Sequence, residues 1–126
     1  MVKKQKLMSP LDLLGMGWST ERVEYGEALY KKRLFLVRKY EGESMPPTYD
    51  IDVVWHFHIL DTVAYRRDTE MIFGYYLHHV PYFGMRGLQD ERDWSKASAN
   101  IHSRCHQEFG HEVYEFDPDY IEEPLL

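Results

Sequence analysis

The sequence predicts a small, single-domain, mainly α-helical bundle with an ordered loop rich in histidine and aromatic residues. Three observations carry this expectation. The chain has 126 residues, a length suited to one hydrophobic core. Apolar residues recur at helical spacing in its longer segments. Residues that start or stop helices flank those segments.

Each element has its own signature. Ser9 and Pro10 suit the cap and first position of a short helix reaching Leu14, ended by Gly15 and Gly17. Ser19 or Thr20 caps a longer helix, with Glu21 and Glu24 near its positive end. Tyr25, Leu29, Leu36 and Tyr40 form its stripe, widened by Tyr30, Leu34 and Val37. Gly42 follows, and Met45-Pro46-Pro47 is a stiff connector. From Asp50, read as an N-cap, the pattern runs through Leu60, Val63, Ala64 and Tyr65 to Phe73. Ile51 to Trp55 alternates like a strand, but the run is long and has no turn signal, so one helix is expected over 50–73. Gly74 ends it. Residues 75–87, with Pro81, Gly84 and Gly87, read as the ordered loop. A last helix is expected from Gln89 to Phe109, with Trp94, Ala97, Ile101, Cys105 and Phe109 buried and Gly110 as its stop. Residues 1–8 read as a basic tail and 111–126 as an acidic, extended C-terminal tail.

Charge and cysteine usage narrow the function classes. The net charge of -6 argues against nucleic acid, which needs a basic face. Lys3, Lys4 and Lys6 form a short terminal run better read as solvated. A single cysteine, Cys105, allows no intrachain disulfide and fits a reducing compartment. There is no apolar stretch of signal-peptide length and none of membrane-span length. A cytoplasmic protein without a membrane partner is therefore expected.

The chemistry is concentrated between Asp52 and His79. Imidazole and carboxylate are the usual protein ligands of zinc, iron and manganese. On a helix, His56 and His58 point about 200° apart and cannot share one ion. Asp52 and His56, four apart, share one face, while His58, Asp61 and Tyr65 share the opposite one. A metal site is thus expected from Asp52, His56 and one loop histidine, His79, with His78 as substitute. The ion would be divalent, zinc or iron. Beside this stands a purely structural reading, in which the first group is an ion pair and the second a buried hydrogen-bond network. His102 and His106 also have chelating spacing but no neighbouring Glu of the zinc-protease type. Cys105, on an apolar stripe, reads as an inert thiol. Arg86 is the candidate anion-binding residue.

The stretch Asp52-Val53-Val54-Trp55-His56-Phe57-His58, with Tyr65, Asp68, Phe73-Gly74 and Leu77-His78-His79-Val80-Pro81, resembles the glycine-rich domain-containing protein-like family. Tyr82-Phe83-Gly84-Met85-Arg86-Gly87 is similar to its short bacterial members. Thr69 stands where relatives often carry cysteine, and the cysteine-rich or glycine-rich extension of some members is missing. The resemblance implies no particular reaction. An interaction module is the competing class, with Tyr75, Tyr76, Tyr82 and Phe83 docking a protein partner or a second copy.

Overall fold

The computed structural model describes Met8 and residues 15–113. The expected first helix at 10–14, most of the basic tail and the C-terminal tail beyond Val113 lie outside the described residues. Four helices follow in order: α1 (Thr20–Lys39), α2 (Tyr49–Leu60), α3 (Thr62–Phe73) and α4 (Leu88–Phe109). No strand occurs among the described residues. The mainly helical expectation is met.

Helix α1 begins where the sequence suggests. The Ser19 hydroxyl accepts from the Arg22 amide, and Glu21 lies in the first turn. α1 packs on α2 and on α4, and α2 packs on α3. The core brings together Tyr30 and Leu36 of α1, Ile51 and Val54 of α2, Tyr65 of α3, and Ile101 and Cys105 of α4. α1 and α2 approach closely at Gly26. A Cβ there would lie 3.2 Å from Val54 Cγ2 and 3.3 Å from the Trp18 ring.

The expected single helix over 50–73 is two. The chain breaks at Asp61, whose ψ of 75° is not helical. Its carbonyl accepts the Tyr65 amide and starts α3. The break has a packing consequence. Residues ten apart on one helix lie about 15 Å apart along its axis. Here Trp55 Nε1 donates to Tyr65 Oη at 2.9 Å, a contact that the break between the two helices makes possible.

Two further expectations change. Asp50 is not the cap of α2; Thr48 holds that place without a side-chain cap bond. The Asp50 carboxylate is instead drawn sideways by Arg22, which donates to both its oxygens at 3.0 and 2.8 Å. A bidentate, charge-assisted pair outweighs a single cap bond. Trp94, expected in the α4 stripe, is 38% exposed and packs beneath Gly84 of the loop. α4 buries only Ala97, Ile101 and Cys105 fully. It ends at Gly110 in the left-handed region, as α3 ends at Gly74.

Candidate metal centre

Asp52 and His56 lie one turn apart on the outer face of α2, so their side chains meet. The loop after α3 brings His79 onto them. His79 Nε2 lies 2.6 Å from Asp52 Oδ1 and 3.1 Å from His56 Nε2. His56 Nε2 lies 3.4 Å from the same Asp52 oxygen. Among the described residues, these are the three His, Cys, Asp or Glu side chains whose donor atoms converge in this way. A point about 2.05 Å from all three donor atoms, the length of a zinc–nitrogen bond, exists about 1 Å off their plane. The three therefore fit one face of a small cation's coordination shell.

The loop is pinned where it must deliver His79. The Tyr65 hydroxyl donates to the Leu77 carbonyl, two residues earlier. The His79 ring lies on the Trp55 indole, centroids 4.1 Å apart. His78 points elsewhere, its ring 5.0 Å from that of Tyr76. The site is open: the His56 side chain is largely exposed, whereas that of His79 is mostly buried.

The second polar group lies inside the protein. His58 is fully buried, with Tyr30 Oη 2.6 Å from its Nδ1 and Asp68 Oδ2 2.9 Å from its Nε2. An ionised carboxylate only accepts, so His58 Nε2 carries the proton and Nδ1 accepts from Tyr30. The charges agree with this. Burial pushes His58 below its ordinary value and keeps it neutral, despite the opposing effect of Asp68. Burial works against the Asp68 carboxylate, but its hydrogen bonds from His58 and Arg67 together hold it below the usual range. Burial also raises the Tyr30 and Tyr65 hydroxyls, which stay protonated.

This arrangement corrects the expected His58–Asp61–Tyr65 set. Asp61 sits at the helix break, and its charge reaches His58 only as the weakest of the influences on it. Tyr65 meets His58 edge to face at 4.8 Å between ring centroids. The hydrogen bonds come from Tyr30 and Asp68. Asp68 was visible in the motif, but a straight helix placed it too far from His58.

Arg86 borders the same cleft, yet its guanidinium is engaged by Asp90 at 3.0 and 3.1 Å. Another cation was missed. Arg33 is 7% exposed and borders the cleft, with its Nε donating to the Met45 carbonyl at 2.9 Å. The signal was a charged residue within the apolar stripe of Leu29, Tyr30, Leu34 and Val37. His102 and His106 remain on one face of α4 but gather no third ligand among the described residues. Burial raises the Cys105 thiol, in keeping with an inert side chain.

Residues 19–68 match the model of the family described as glycine-rich domain-containing protein-like. The match covers 50 of the 126 residues. The segment includes Arg33, Asp52, His56, His58 and Asp68, whereas His78 and His79 lie beyond its end. Two curated relatives come from Arabidopsis thaliana. Glycine-rich domain-containing protein 2 is 38% identical over 56 residues, covering 41% of this chain and 7% of the relative. Glycine-rich domain-containing protein 1 is 35% identical over 78 residues, covering 57% of this chain and 10% of the relative. The matches thus span a tenth or less of the relatives' length. No solved structure matches. Among the described residues, no helix is long and apolar enough to cross a membrane.

Proposed function

We propose that this chain binds one divalent metal ion, zinc or iron(II), through Asp52 Oδ1, His56 Nε2 and His79 Nε2. The convergence of these three atoms within 3.4 Å of one another carries the reading. Two histidines and one carboxylate form a ligand set used for zinc with an open fourth position and for non-haem iron(II). The exposed side of the site leaves room for water or a ligand. The bound ion would act there as a Lewis acid. A single buried cysteine fits a reducing, cytoplasmic setting.

The test is elemental analysis of untagged protein purified from cells, alongside His56→Ala and His79→Ala. Stoichiometric metal in the wild type, lost in both variants with far-UV circular dichroism unchanged, supports the site. A wild type that takes up neither zinc(II) nor iron(II) after dialysis against them sinks it.

Exposed aromatics favour a second role alongside the first. Tyr75, Tyr76 and Tyr82 are 42%, 38% and 64% exposed on the loop that carries His79, and Phe83 is partly buried beside them. We infer that this loop contacts a protein partner or a second copy of the chain. Sedimentation of the wild type and of Tyr76→Ser/Tyr82→Ser tests the second copy. Monomers at all concentrations would leave only the partner.

A further inference from the structure

The cleft beside Asp52 and His79 has a volume of about 530 Å³ and is bordered by Arg33, Thr48, Trp55, Pro47, Val80 and Phe83 among others. Two of its polar groups are unsatisfied. Arg33 Nη1 and Thr48 Oγ1 are both buried and have no hydrogen-bond partner among the described residues. Thr48 stands at the N-cap of α2, where a threonine hydroxyl ordinarily accepts a backbone amide; here it makes no such bond. Buried polar atoms in native proteins are nearly always paired, so two orphans on one cleft call for an explanation.

Arg33 sharpens the case. Its guanidinium lies over the Trp55 ring, 4.3 Å from the centroid, and its Nε is used by Met45. No carboxylate of the described residues forms a salt bridge with it. Burial lowers its pKa to about 10, so it remains a cation at neutral pH. A buried cation with no salt-bridge partner among the described residues, bordering the same cleft as the N-terminus of a twelve-residue helix, attracts an anion. The planar guanidinium matches a carboxylate. The prolines, Val80, Phe83 and Trp55 suit an organic body more than inorganic phosphate.

We propose that this cleft binds a small organic carboxylate, with Arg33 as its counter-ion and the Thr48 hydroxyl as a second donor. The carboxylate's body lies along the apolar wall toward the Asp52–His56–His79 group. The placement of a ligand beside an ion rests on the metal-binding reading; the Arg33 anchor is a separate observation.

The test uses the intact chain, both metal-free and after dialysis against zinc(II), titrated with benzoate, neutral benzamide and inorganic phosphate. Backbone amide and indole NMR shifts report binding. Benzoate is expected to shift Thr48, Tyr49 and the Trp55 indole, and to bind at least ten times more tightly than benzamide or phosphate. Arg33→Gln should weaken benzoate at least tenfold, and Thr48→Val several-fold. If Arg33→Gln does not fold, Thr48→Val and the benzoate–benzamide ratio in the wild type still decide. No benzoate shifts in either form, or equal binding of benzoate and benzamide, would overturn the proposal. Equal binding of phosphate would overturn the organic carboxylate as the ligand. Benzoate binding by protein that takes up neither zinc(II) nor iron(II) would sink the metal reading and keep the anchor; metal uptake without benzoate binding would do the reverse.

Discussion

The Trp55 indole lies against the His79 imidazole, with centroids 4.1 Å apart and planes inclined by 33°. The same indole donates through Nε1 to Tyr65 Oη, and Tyr65 in turn holds the Leu77 carbonyl. Trp55 thereby joins the interior network to the loop that presents His79. Neither group is positioned independently of the other.

Trp55→Phe tests this link. It keeps an aromatic face but removes the Nε1–H donor and some buried volume. A loss of about 1–3 kcal/mol is expected in urea denaturation. Zinc affinity, measured by competition with a chelator, should fall about 10-fold, as for other groups that orient metal ligands. Unchanged affinity at reduced stability would show that Trp55 supports the fold alone.

The Tyr30–His58–Asp68 chain should behave as a unit. Tyr30→Phe leaves His58 Nδ1 buried without a donor, at a cost of about 1–3 kcal/mol. Asp68→Ala leaves the Nε2 proton unpaired, at a similar cost of about 1–3 kcal/mol. The two changes act through one imidazole, so the double variant should depart from additivity by about 0.5 kcal/mol or more. Strict additivity in chemical denaturation would mean that the three side chains are not coupled.

Acid should loosen the contact between α1 and α4. Arg104 of α4 donates to both oxygens of Glu43, just after α1, and holds that carboxyl below its ordinary value of 4.5. Glu108 is likewise held below 4.5 by Lys39 and then by the Tyr40 hydroxyl, which donates to it. Depressed carboxylates contribute stability above their unfolded value and lose it as pH falls through the folded one. Thermal melts should therefore decline as pH drops below about 4.5. Glu43→Gln/Glu108→Gln should flatten that decline, with a residual slope from Asp68 and Asp90, which are also depressed. The same slope in the double variant would assign acid sensitivity elsewhere.

Much of the helical plan was legible in local chemistry. Ser19, Gly74 and Gly110 act within one turn of themselves, and the stripe Ala97–Ile101–Cys105 follows from helical spacing alone. The separation of His56 from His58 is equally local, because 200° of rotation sends them to opposite faces of one helix. The shared face of Asp52 and His56 was therefore readable before any fold.

What lay beyond the sequence depends on where the helix breaks. Asp61 followed by Thr62 is only a weak break signal, so a straight helix over 50–73 was the natural expectation. Once the chain turns there, Asp68 reaches His58 and Tyr65 reaches Trp55. The burial of Arg33 beside the cleft and the approach of His79 to Asp52 across 27 positions likewise depend on packing between segments distant in sequence. Helix caps and faces are set by neighbours in sequence. Which side chains share a site is set by packing between helices, and only the tertiary structure decides that.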